Sequence, residues 1–140
     1  MPGWPGPTTR GAELGTGHRQ RLRVLSTRLT VELLPEGDVG SVPAQAWWAL
    51  IRGPEGLTVI REAPDPSGDI EQWAALYGEN AHELDEPGML AALLEPLARA
   101  GVPVFVASTF SSDLVLVPVA RLGEAARALE AARHEVVGGT

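Results

Sequence analysis

The sequence predicts an α+β fold, an antiparallel sheet carrying two helices on one face, and two observations predict it. Between Gln72 and Val137 the apolar pattern switches period in the order strand, helix, strand, strand, helix, strand. Ahead of it, Arg21 to Arg61 supplies at least three strand-like runs and little helix. The chain is organised around Asp85 to Asp113 (DEPGMLAALLEPLARAGVPVFVASTFSSD), an acidic turn, a helix, a strand and a second acidic turn that are expected to meet in space.

Each element has its own local reason. Met1 to about Gln20 is rich in Gly, Pro and Thr, shows no periodicity and reads as a disordered tail. Its Gly11, Gly15 and Gly17 follow no strand and precede no helix, so they do not make a phosphate loop. Arg23 to Leu34 largely alternates and ends at Pro35, as one long strand or two short ones joined by a bulge. A brief helical turn over Pro43 to Ala46 is expected after the following loop. Trp47 to Arg52 and Leu57 to Arg61 flank Gly53-Pro54-Glu55-Gly56, a hairpin turn in composition; adjacent Trp47 and Trp48 must face opposite ways on a strand.

Ala63 to Gly68 (APDPSG) is the internal boundary, dividing 21–66 from 67–137. Gln72 to Asn80 is the next strand, with Trp73, Ala75 and Tyr77 on one side and Ala74 and Leu76 on the other. Met89, Leu90, Leu93, Leu94 and Leu97 then share one face of a helix that Pro87 can open and Gly101 stops. Pro96 lies inside that helix; it removes the hydrogen bond to the Ala92 carbonyl and should bend the axis. Val102 to Ala107 is wholly apolar and reads as a buried strand, Thr109 to Asp113 as a hairpin turn, and Val115 to Val119 as the returning strand. A helix over about Arg121 to Arg133 and a short strand at His134 to Val137 complete a split βαβ pair, the ferredoxin-like arrangement. The first half reads as a degenerate copy in tandem with it. Strands so apolar cannot leave their helix-free face wet, so pairing with the other half or a second chain is expected.

Composition excludes several function classes. There are no cysteines, hence no disulfide scaffold, thiolate metal site or cysteine nucleophile. All eleven basic residues are arginine, which excludes a catalytic lysine, and the formal net charge of -7 argues against nucleic acid as a partner. No apolar run approaches a membrane span and the N-terminus lacks the order of a secretory signal, so a cytoplasmic protein is expected. His18, His82 and His134 have no metal-ligand spacing, no cofactor is implied, and His134 is placed for the dipole of a helix C-terminus. Ser108, His82 and Asp113 could be imagined as a triad, but no nucleophile-elbow motif accompanies them, and the chain is read as no enzyme.

The candidate site is the helix start together with the polar hairpin. A helix N-terminus offers unpaired N–H groups to a carboxylate, and Glu86 and Asp113 on two turns would suit an amino or guanidinium group. The plain structural alternatives are helix capping for Asp85 and Glu86, turn chemistry for Asp113, close packing for Gly88 and a core role for Phe110.

Asp85-Glu86-Pro87-Gly88-Met89-Leu90 resembles the D-x-P-G turn of ACT domains, regulatory modules that bind amino acids. With Glu95-Pro96-Leu97-Ala98, Ser108-Thr109-Phe110, Asp113 and Leu116-Val117-Pro118, the stretch is similar to the CASTOR family of arginine sensors and its small bacterial relatives with paired ACT domains. That resemblance implies a free amino acid, with arginine slightly preferred, bound at an ACT–ACT junction, most simply in a homodimer. Carried over by position, Glu86 and Asp113 face the ligand's cationic end, Gly88 admits the backbone, Leu90 packs, Thr109 and Phe110 flank it, and Asp85 and Met89 complete the ligand-binding set. The residues that grip the amino-acid backbone in the family match Ala92 and Leu93, with no serine there. The rival reading is a protein-interaction module with a vestigial pocket.

Overall fold

The computed structural model describes residues 19–35, 40, 42, 46–64, 69–79 and 87–138. The expected tail up to residue 18, the turn at 43–45, and His82, Asp85 and Glu86 lie outside the described residues. Seven strands and two helices follow in order: β1 (Arg21–Leu34), β2 (Trp47–Gly53), β3 (Gly56–Glu62), β4 (Trp73–Gly78), α1 (Met89–Arg99), β5 (Phe105–Val106), β6 (Leu114–Pro118), α2 (Leu122–Ala131) and β7 (Glu135–Gly138). A 3-10 turn at Val119–Arg121 leads into α2. The fold is α+β, as the periodicity predicts.

All seven strands form one sheet in the order β2-β3-β1-β4-β6-β5, with β7 paired to β1 in parallel and every other pair antiparallel. The 14-residue β1 belongs to both halves of the chain. Its first residues lie between β7 and β4, from Leu22 opposite both Val136 and Gly78, and its last residues pair with β3 from Leu29 to Leu34. A bulge between Val24 and Arg28 shifts the register where the strand passes from one half to the other.

Alternation along these strands builds two cores. On the helix face Leu22, Val24, Ala74, Leu76, Val115 and Val117 meet Leu93 and Leu97 of α1 and Ala125 and Leu129 of α2. On the other face Leu29 and Ile60 of the first half close over Ala75, Leu114 and Leu116 of the second, with Trp73 and Tyr77 packed at the side. The sheet curls to do this, so its helix-free face is covered by the N-terminal half of the same chain. A third cluster under residue 42 holds Leu57, Val59 and Trp47, while Trp48, at the bulge between β2 and β3, is 40% exposed.

Where the structure departs from the expected elements, local chemistry accounts for it. The strand expected from Val102 to Ala107 pairs only at Phe105 and Val106. Before it, the end of α1 is a Schellman closure, Gly101 N–H to Ala98 and Val102 N–H to Leu97, which consumes the first residue, and Pro103 has no N–H to pair. The same closure ends α2, with Arg133 in the left-handed position at φ 74° and His134 N–H returning to Leu129. Among the described residues no helix is long and apolar enough to cross a membrane.

Candidate functional site

The β5–β6 register continues past the strands to the tip of the hairpin. Ala107 N–H bonds Leu114 and Thr109 N–H bonds Ser112 at 2.8 Å, leaving Phe110 and Ser111 as a two-residue loop. Extending that register pairs Ser108 with Asp113 on the face of Val106 and Val115, the helix face, and the Ser108 hydroxyl donates to Asp113 Oδ1 at 2.8 Å. Asp113 is 8% exposed, and its carbonyl accepts the Gly78 N–H. Thr109 is turned to the opposite face. Its Oγ1 accepts Ser111 and Ser112 N–H groups, lies 3.1 Å from the Ser112 carbonyl and 2.8 Å from the Tyr77 hydroxyl. Its one proton serves either that carbonyl or the Tyr77 oxygen. Phe110 projects from the tip, 84% exposed.

The other wall is the start of α1. Gly88 is its N-cap at φ 85°, a conformation that costs any other residue type, and among the described residues no side chain caps this end. Met89 is buried, Leu90 packs on the helix-face core, and the first turn holds no acidic residue. Gln20, grouped with the tail on composition, is 4% exposed and fixes this turn by donating from Nε2 to the Met89 carbonyl at 2.8 Å. Its own N–H donates to His134 Nδ1 at 3.1 Å, which leaves the proton on Nε2, directed at the Ala92 carbonyl 2.9 Å away. That is the carbonyl Pro96 deprives of its helical partner. His134 is thus not a solvent-facing dipole partner; it closes the gap the proline opens and joins α1 to the entries of β1 and β7.

The sheet brings these walls to one edge. Glu79 N–H bonds Arg21, Gly78 N–H bonds Asp113, and Glu135 N–H bonds Gln20, so the entry of β1, the end of β4, the start of β6 and the start of β7 lie side by side. Asp113 and the α1 start share that edge and the helix face. From β6 through β4 to β1 are two strand spacings, about 10 Å. Of the sequence-predicted residues, Gly88, Met89, Leu90 and Asp113 fall on this edge, Phe110 lies beyond it, and Thr109 works within the turn on the other face. Gln20, Tyr77, Ser112 and His134 were not singled out for the site; the Ser-Thr-Phe-Ser-Ser-Asp run signals the turn, but nothing local in sequence ties Gln20 to His134.

Residues 70–131 match the family model of the ACT domain. No curated protein matches the chain. Among solved structures, an Agrobacterium tumefaciens protein is 23% identical with a TM-score of 0.72, covering 87% of this chain and 95% of its own. A Vibrio cholerae protein of unknown function, described as a possible transport protein, is 19% identical with a TM-score of 0.74, covering 92% and 97%. The regulatory subunit of aspartate kinase from Thermus flavus is 15% identical with a TM-score of 0.56, covering 80% and 96%. These likenesses establish the fold. The matched segment begins just before β4, runs through α2 and takes in both turns of the site, so over residues 70–131 the chain is similar to an ACT domain.

Proposed function

We propose that this protein is a non-catalytic sensor of a free amino acid, bound at the edge where the α1 turn and the β5–β6 hairpin lie. The ACT match over both turns carries the reading, because ACT domains are in general amino-acid-sensing regulatory modules. The uncapped first turn of α1 receives the carboxylate, and Asp113, with Glu86, receives the cationic end. Two acids at the cationic end favour a cationic amino acid such as arginine. In the finer version the N-terminal half is the degenerate partner of a CASTOR-like ACT pair, the pocket is completed across a homodimer, and the protein works in the cytoplasm.

Calorimetric titration with each common amino acid tests it. A cationic amino acid is expected to bind, and Asp113→Ala and Glu86→Ala each to weaken binding by about 1–3 kcal/mol. Silence across the panel at millimolar concentration sinks the reading. The interaction-module alternative draws on one observation, the exposure of Phe110 at the tip and of Leu33 and Ile51, which lie across Thr58 from one another on the sheet. A protein complex indifferent to amino acids, and lost on Phe110→Ser, would favour it.

A further inference from the structure

A second concavity lies on the helix layer, between the outer flank of α1 and the C-terminal end of α2. Its volume is about 420 Å³. Its lining includes Ala91, Ala92, Ala131, Ala132 and Pro96, of which Ala92 and Pro96 are half-buried and the rest exposed, together with Arg19, Arg99 and Arg133. Three of the eleven arginines of a chain with formal net charge -7 therefore converge on one groove.

The acceptors around that groove are already engaged. Glu95, the lining acid, is held by Arg99. The Ala92 carbonyl takes the His134 Nε2 proton, and the carbonyls of Ala128, Leu129 and Glu130 take the N–H groups of Ala132, His134 and Arg133. Arg19 and Arg133 have no ion pair among the described residues. The groove thus offers donors, cations and apolar side chains, and among the described residues its lining acid, Glu95, is already held by Arg99. The α1 start, at Gly88, adds to the same sign of potential, and the C-terminal end of α2 on the other side opposes it.

We propose that this groove binds a small organic monocarboxylate with a compact apolar body and no amino group. Guanidinium groups of Arg19 and Arg133 take the carboxylate in paired, charge-assisted bonds, and the alanine side chains take the hydrocarbon. The groove differs from the amino-acid site in ligand class and in its arginines, and the two adjoin at the first turn of α1, at Gly88.

Amide chemical shifts of the full chain, followed during titration with 3-methylbutanoate, test the proposal. Saturable shifts are expected at the first turns of α1 and at residues 131–134, with the neutral isostere 3-methylbutanamide binding about tenfold more weakly or worse. Arg19→Gln and Arg133→Gln, both at exposed positions, are each expected to weaken binding about five- to tenfold, and Asp113→Ala to leave it unchanged. An amide that titrates like the acid, or arginine variants that bind like the parent, overturns the site. Inorganic phosphate binding as tightly as 3-methylbutanoate overturns the apolar part of the assignment, and leucine binding as tightly overturns the exclusion of the amino group. Because Asp113→Ala belongs to the other site, its effect on arginine titration separates failure of one reading from failure of the other.

Discussion

Replacing His134 with leucine removes both imidazole hydrogen bonds while keeping an apolar side chain of similar bulk. Two groups then lose their partners: the Gln20 N–H, on a residue 4% exposed, and the half-buried Ala92 carbonyl. An unsatisfied buried group costs about 1–3 kcal/mol, and the carbonyl is only half-buried, so His134→Leu is expected to cost roughly 2–4 kcal/mol. The number alone would not separate this account from loss of packing. Pro96 does. If the imidazole stands in for the helical N–H that proline lacks, Pro96→Ala restores an alternative donor to the same carbonyl. His134→Leu should then cost roughly 1 kcal/mol less in the Pro96→Ala background than in the parent.

The assay is a double-mutant cycle by urea unfolding of four proteins, with a common slope as the check that the unfolding reaction is unchanged. The refuting result is additivity. Equal costs of His134→Leu in the two backgrounds would mean that the Ala92 carbonyl does not depend on the imidazole, and the claim that this histidine repairs the proline gap would be withdrawn.

Three further predictions follow from local geometry. A β-carbon on Gly78 would stand 2.3 Å from Ser112 Oγ, so Gly78→Ala should destabilise by about 1–3 kcal/mol. Adding Ser112→Ala, which deletes a buried hydroxyl that has no partner, should recover most of that loss in thermal unfolding; no recovery would show that the clash lies elsewhere. Gly88→Ala forces a side chain into the left-handed region and should cost about 1–2 kcal/mol in unfolding free energy, with no cost arguing that the turn rearranges freely. Glu32 is held below its ordinary value near 4.5, chiefly by the two hydrogen bonds Arg61 donates at 2.6 and 2.9 Å. A lowered acid contributes stability above its unfolded pKa and loses it as pH falls through the folded one. The parent should therefore lose about 1 kcal/mol more than Glu32→Gln when taken from neutral pH to below the usual carboxylate range, and equal losses would refute the link.

The local part of this fold was readable in advance, and the long-range part was not. Alternation alone assigned Trp73, Ala75 and Tyr77 to one face and Ala74 and Leu76 to the other, and the two cores are divided in that way. The bulge in β1, the Gly53–Gly56 turn and the proline in α1 were likewise visible, since each follows from residue types a few positions apart. The insertion of β1 between β4 and β7 was not, because pairing between residues more than a hundred positions apart leaves no period in the sequence. The same limit applies to the site. The turn motifs announced themselves, whereas the contacts that hold them, Gln20 to Met89 and to His134, join segments that share no local pattern. Asp113 was legible as a candidate, but its burial beside Ser108 came only from hairpin register.

The shared first strand makes any dissection of this molecule at Ala63–Gly68 misleading. Among the described residues β7 has no strand neighbour other than β1, which also separates it from β4. A fragment trimmed to the ACT-matching segment would lose β7 and, with β1 gone, would strip away Gln20, the anchor of the α1 turn.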